Sequence, residues 1–98
     1  MSALPVVAVI AAKPGSEAEV RAALESLVEP SRAEDGCLGY DLFESASAPG
    51  TFVTVELWRT QVDLDAHLQT PHIGAALSAT GDHLATPPDI HPLVPVGS

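Results

Sequence analysis

A chain of 98 residues, 46% of them hydrophobic, makes a single domain (residues 1–98) with one core and little apolar surface to spare. Four Lys and Arg against thirteen Asp and Glu give a formal net charge of −9, which repels phosphate backbones and anionic membranes and so excludes nucleic-acid and membrane partners. The single cysteine, Cys37, has no intramolecular disulfide partner and fits a reducing compartment.

The first element is Val6 to Ala12, a β-branched apolar run that reads as a strand covered on both faces. No basic region precedes it and Pro5 interrupts its start, so it does not read as a signal peptide, and cytoplasm is the expected compartment. Pro14 and Gly15 end it. Ser16 with Glu19 has the spacing of a capping box, and the helix that follows places Val20, Ala23, Leu24 and Leu27 on one stripe. Pro30 should kink this helix, with one further turn toward Glu34.

Gly36 opens a second strand, CLGYDLFES, in which Leu38, Tyr40 and Leu42 alternate with Cys37, Gly39, Asp41 and Phe43. ASAPG is a turn by composition. In the third strand, TFVTVELWR, Val53, Val55 and Leu57 share one face and Phe52, Thr54, Glu56 and Trp58 the other. Thr60 and Asp63 begin a second helix, and Thr70-Pro71 begins a third with proline at its favoured first position. Gly81 stops that helix. The tail PDIHPLVPV carries Pro92 and Pro95, which confine it to a sheet edge or to an arm reaching outside its own subunit.

The order β-α-β-β-α-(α)-β predicts an α+β, ferredoxin-like antiparallel sheet with helices on one face. Both faces of the third strand are largely apolar, so the uncovered sheet face should be buried in a homodimer.

The stretch VELWRTQVDLDAHLQTPHI concentrates the polar and aromatic side chains. At about 100° per residue, Leu64 and Leu68 define the inward stripe of the second helix and His67 lies roughly 60° from Leu64. His67 is thereby turned toward the strand that carries Glu56 and Trp58, and the three could surround a small pocket. A partly buried histidine satisfied by one hydrogen bond to Glu56 is the structural alternative. His72, at a helix entry, reads more simply as a residue that fixes the turn. The two histidines are five apart and separated by a helix break, not at the three- or four-residue spacing of ligands on one helix face, so no metal is expected. His83 and His91 are isolated. There is no G-x-G-x-x-G, P-loop or G-x-S-x-G element. What remains is a pocket without a cofactor, or no catalysis.

EDGCLGYDLFES, FVTVELW and LDAHLQTPHI resemble the antibiotic biosynthesis monooxygenase domain family, particularly its quinol-monooxygenase-like members. The resemblance runs from about Val6 to Leu77, and its most specific part is Glu56 through His72. It implies a dimeric α+β barrel and oxidation of a hydroquinone, phenol or polycyclic aromatic by O2 with no metal, flavin or haem. On that footing His67 is the candidate base, Glu56 its orienting partner, and Trp58, Tyr40 and His72 candidate substrate contacts. Haem-degrading members carry an Asn, a Trp and a haem-ligating His where this chain has Val7, His67 and Leu77, so haem degradation is not implied. Two further readings are isomerisation of a small phosphorylated dione, for which Arg59 would be the cation, and a non-catalytic dimeric binding module.

Overall fold

The computed structural model describes residues 3–97. In chain order the elements are β1 (Leu4–Ala11), α1 (Glu17–Glu25), α2 (Val28–Arg32), β2 (Cys37–Glu44), β3 (Thr51–Trp58), α3 (Gln61–His67), α4 (Pro71–Thr80) and β4 (Asp89–Pro92). The four strands form one antiparallel sheet in the order β2-β3-β1-β4. Val6, Ala8 and Ile10 of β1, Tyr40 of β2, and Phe52 and Trp58 of β3 are buried on one face, under Val20 and Leu24 of α1, Leu27, Leu64 of α3 and Ala76 of α4. This is the ferredoxin-like architecture that the order of elements predicts. No helix among the described residues is long and apolar enough to cross a membrane.

The alternation in β3 resolves as read: Phe52, Thr54, Glu56 and Trp58 are buried beneath the helices, whereas Val55 and Leu57 are exposed on the open face with Phe43 of β2. β4 occupies a sheet edge beside β1 with its side chains exposed, as its proline content requires.

Four local expectations are corrected. The Ser16 hydroxyl makes no cap to its helix; it hydrogen-bonds His83 Nδ1 at 2.9 Å, which also ties the isolated histidine to the start of α1. Pro30 does not kink a continuous helix. The break comes earlier, where Leu27 N donates to Leu24 O, and Pro30 falls in the first turn of α2, where a missing N–H leaves no bond unmade. A register shift between Cys37 and Gly39 sets Leu38 out of the alternation, so Tyr40 is buried and Leu38 exposed. Leu68 caps α3 and is 36% exposed, so the inward stripe of that helix is Leu64 and His67. The caps at Thr60 and Thr70 form as their spacing predicts, each hydroxyl accepting from the amide three residues on.

Candidate active site

The break between α3 and α4 sets the geometry of the two histidines. His67 is the last residue of α3, and Thr70 turns the chain by donating its hydroxyl to His67 O (2.7 Å) while capping α4. His72 follows Pro71 in the first turn of α4. Opposite them, the loop between α2 and β2 carries Glu34. That loop is pinned at its sheet end: Cys37 N, at the start of β2, donates to Glu34 O, and Arg59 N, just after β3, donates to Gly36 O. A Cβ on Gly36 would collide with the Cβ and Cγ of Asp63, so only glycine permits this approach. Asp63 itself is clasped by Arg59 Nε (2.9 Å) and Nη2 (3.0 Å), and this guanidinium holds its carboxyl below the usual range.

These constraints bring Glu34, His67 and His72 together. His67 Nδ1 lies 2.6 Å and His72 Nε2 lies 2.8 Å from the same oxygen, Glu34 Oε2. An ionised carboxylate only accepts, so both ring nitrogens are assigned as donors. His67 is then the tautomer protonated at Nδ1, with a lone pair on Nε2 and no hydrogen-bond partner for that atom among the described residues. His67 is 2% exposed, and its ring packs between aromatic neighbours: Trp58 at 4.4 Å and Tyr40 at 5.7 Å between centroids.

Glu56 is not the orienting partner of His67. Its carboxylate is buried and accepts from Thr54 Oγ1 (2.6 Å) on one oxygen and from Trp58 Nε1 (2.8 Å) on the other, all three residues alternating along β3. Glu56, Thr54, His67 and Tyr40 line a cavity of about 220 Å³ between sheet and helices, whose other walls are aliphatic residues such as Leu64 and Ile73, with Thr80 the one further polar side chain. Exposed Leu77 and Ile90 mark its outer side. Burial pushes the Tyr40 hydroxyl's pKa well above the ordinary range, with the Glu56 carboxylate acting in the same direction, so this phenol stays neutral. Trp58 and His72 do not line the cavity. Trp58 is fully buried behind His67, and His72 lies on the far side of Glu34, its ring 6.0 Å from that of His67.

Glu34 is the residue that sequence reasoning missed. The bend beyond Pro30 pointed toward it, but nothing local indicates contact with a histidine 33 positions on. The same contact changes the metal question: the donor atoms of Glu34, His67 and His72 lie within 4.8 Å of one another. The helix break thus assembles what spacing along one helix could not.

Comparison with known proteins accords with this fold. Residues 4–79 match the family described as Antibiotic biosynthesis monooxygenase. The chain belongs to this family. Rv0793 of Mycobacterium tuberculosis is 36% identical over 95 residues, covering 97% of this chain and 93% of that protein. Its solved structure superposes with a TM-score of 0.89. A solved Pseudomonas aeruginosa protein, PA3566, gives a TM-score of 0.91 at 32% identity, covering 99% of this chain and 97% of its own. The Escherichia coli K12 protein named "Probable quinol monooxygenase YgiN" is 37% identical over 93 residues, 83% of this chain and 88% of that one. The chain spans 55% of the length of sll1783 of Synechocystis, to which it is 36% identical over 81 residues.

Proposed function

We propose that this member of the antibiotic biosynthesis monooxygenase family is a cofactor-free monooxygenase that oxidises a hydroquinone or phenol with O2. The observation that carries the reading is His67 at the cavity, its Nδ1 fixed by Glu34 and its Nε2 lone pair uncommitted. A general base needs that arrangement: an acceptor at the substrate and an anion behind it to stabilise the imidazolium. Glu34 takes the orienting role. Glu56 and the neutral Tyr40 hydroxyl serve as polar contacts for the substrate, and Trp58 supports the His67 ring from behind.

The cavity also limits the substrate. An apolar cavity of about 150 Å³ accepts benzene, so about 220 Å³ suits one substituted ring better than a polycycle. The cavity lining has no Lys or Arg among the described residues, which argues against a phosphorylated dione as substrate.

In the proposed reaction His67 Nε2 takes the hydroxyl proton, and the phenolate gives one electron to O2. The two radicals combine at a ring carbon, and His67 returns its proton to the peroxide. Loss of the ring C–H proton with cleavage of the O–O bond leaves a carbonyl on the ring and releases water. One oxygen atom ends in the quinone and the other in water, with O2 the only oxidant. The apolar walls keep water from the radical pair.

The reading includes a homodimer. Phe43, Val55 and Leu57 expose apolar surface on the open sheet face, and a second copy would remove it from water. The half-buried free thiol of Cys37 suits the cytoplasm.

The test is oxygen uptake by the purified protein over a panel of single-ring hydroquinones, beside His67→Ala. Loss of a general base should lower turnover by about two to four orders of magnitude, with partial recovery at high pH, where the substrate ionises unaided. Full activity in His67→Ala would return this histidine to a structural role and leave a binding module as the better account.

A further inference from the structure

We propose that Glu34, His67 and His72 form a binding site for a divalent transition metal with the preferences of Zn2+, and that occupancy of this site switches off the base. The second half rests on the proposed role of His67; the first half does not.

Two imidazole nitrogens and a carboxylate oxygen form a donor set that zinc accepts, usually with water at a fourth position. Here they come from three separate segments and lie within 4.8 Å of one another. In a tetrahedral site with bonds of about 2.0–2.2 Å, neighbouring ligand atoms stand roughly 3.3 Å apart. The two observed separations are 2.6 and 2.8 Å, each spanned by a proton. An ion taking the place of those protons needs each nitrogen to part from the Glu34 oxygen by roughly 0.5–0.7 Å, and the two nitrogens, which lie within 4.8 Å of each other, to settle at the same spacing. Glu34 and His72 can make that shift and admit the ion, since their side chains are 16% and 23% exposed. His67 is held by the Trp58 and Tyr40 rings and provides the fixed ligand.

The consequence for catalysis follows from the lone pairs. A neutral imidazole has one, so a metal on Nδ1 of His67 obliges the ring proton to sit on Nε2. His72 makes the complementary exchange, its proton moving from Nε2 to Nδ1. Both rings stay neutral and no proton is lost. The Nε2 atom of His67 then becomes a donor, and metal binding and base catalysis exclude each other on the same ring.

The experiment uses the full chain, freed of metal by chelation and dialysis, titrated with Zn2+ alone against a chromophoric competitor. One equivalent per chain is expected. Loss of an outer partner of a metal ligand already weakens binding by about 10–100-fold, so loss of a ligand in His72→Asn or Glu34→Gln should weaken it by more than about a hundredfold. Circular dichroism checks that each variant is folded, and either variant alone suffices. His91→Asn, at an exposed residue outside the cluster, should bind as the parent does. Oxygen uptake by the parent should fall in step with occupancy and return on adding chelator, whereas His72→Asn should resist the same Zn2+ concentration whatever its basal rate. Absence of stoichiometric binding, or equal binding by parent, His72→Asn and Glu34→Gln, would overturn the site. Binding through these residues with turnover unaffected would overturn the switch. Neither result depends on His67→Ala, whose activity judges the base assignment separately.

Discussion

Glu34 and His67, 33 positions apart, are joined by a 2.6 Å hydrogen bond that leaves the histidine a single way to carry its proton. Glu34→Gln removes the charge and keeps the shape. A hydrogen bond to a charged group contributes about 1.5–3 kcal/mol, so turnover should fall by roughly 10- to 100-fold. Nitrogen-15 spectra should show His67 as a mixture of tautomers in this variant and as the Nδ1–H form in the parent. A Glu34→Gln enzyme with parental turnover and an unchanged ring spectrum would remove Glu34 from the mechanism.

Tyr40 is the only tyrosine in the chain, so phenolate absorbance near 295 nm reports it alone. Its folded pKa is raised, first by burial and then by Glu56. The unfolded phenol ionises near 10. The stabilisation tied to the protonated form is therefore fully present below about pH 10 and lost as pH rises beyond it. The native protein should show no phenolate at pH 10, with absorbance appearing only as the fold opens. Glu56→Gln should bring the native ionisation down.

Gly36→Ala places a methyl group against the base of the Asp63 side chain, which cannot swing away. Overpacking of this kind costs about 1–3 kcal/mol, and the loop carrying Glu34 should move with it. Gly39→Ala is the control, because its nearest neighbour, Leu57 Cβ, stands at 3.7 Å. Urea unfolding should separate the two, and equal stability would mean that the loop shifts freely.

Leu64→Ala should cost about 2–5 kcal/mol, the usual cost of truncating a buried leucine, since Leu64 is 2% exposed. Leu68→Ala should cost clearly less, because Leu68 is already partly in solvent. The comparison, by thermal or denaturant unfolding, checks which residues form the inward stripe of α3.

Period-two and helical patterning carried most of the fold. β3 shows its buried face directly as Phe52, Thr54, Glu56 and Trp58, and the threonine caps mark where α3 and α4 begin. Patterning misleads where one residue alters a period or a bond reaches far along the chain. The bulge at Cys37 to Gly39 is a single irregularity that reverses the side on which Leu38 falls. Ser16 has the spacing of a cap, yet its hydroxyl finds His83 across the molecule. His67 was legible as a residue facing the sheet because its angle on α3 depends on neighbours a few positions away. Its partner was not, because Glu56 lies on the facing strand but both its oxygens are taken by neighbours on that strand, while Glu34 arrives on a loop whose path depends on Gly36.

Trp58 is the one tryptophan. It sits beyond the reach of solvent, its ring against His67 and its N–H on Glu56. The molecule therefore carries its own optical probe, one layer behind the cavity. Its emission should be that of an indole shielded from water, and an aromatic guest, a metal on the neighbouring imidazole or a loosening of α3 should each perturb it without any label. Assays on colourless substrates thus become possible in the unmodified protein.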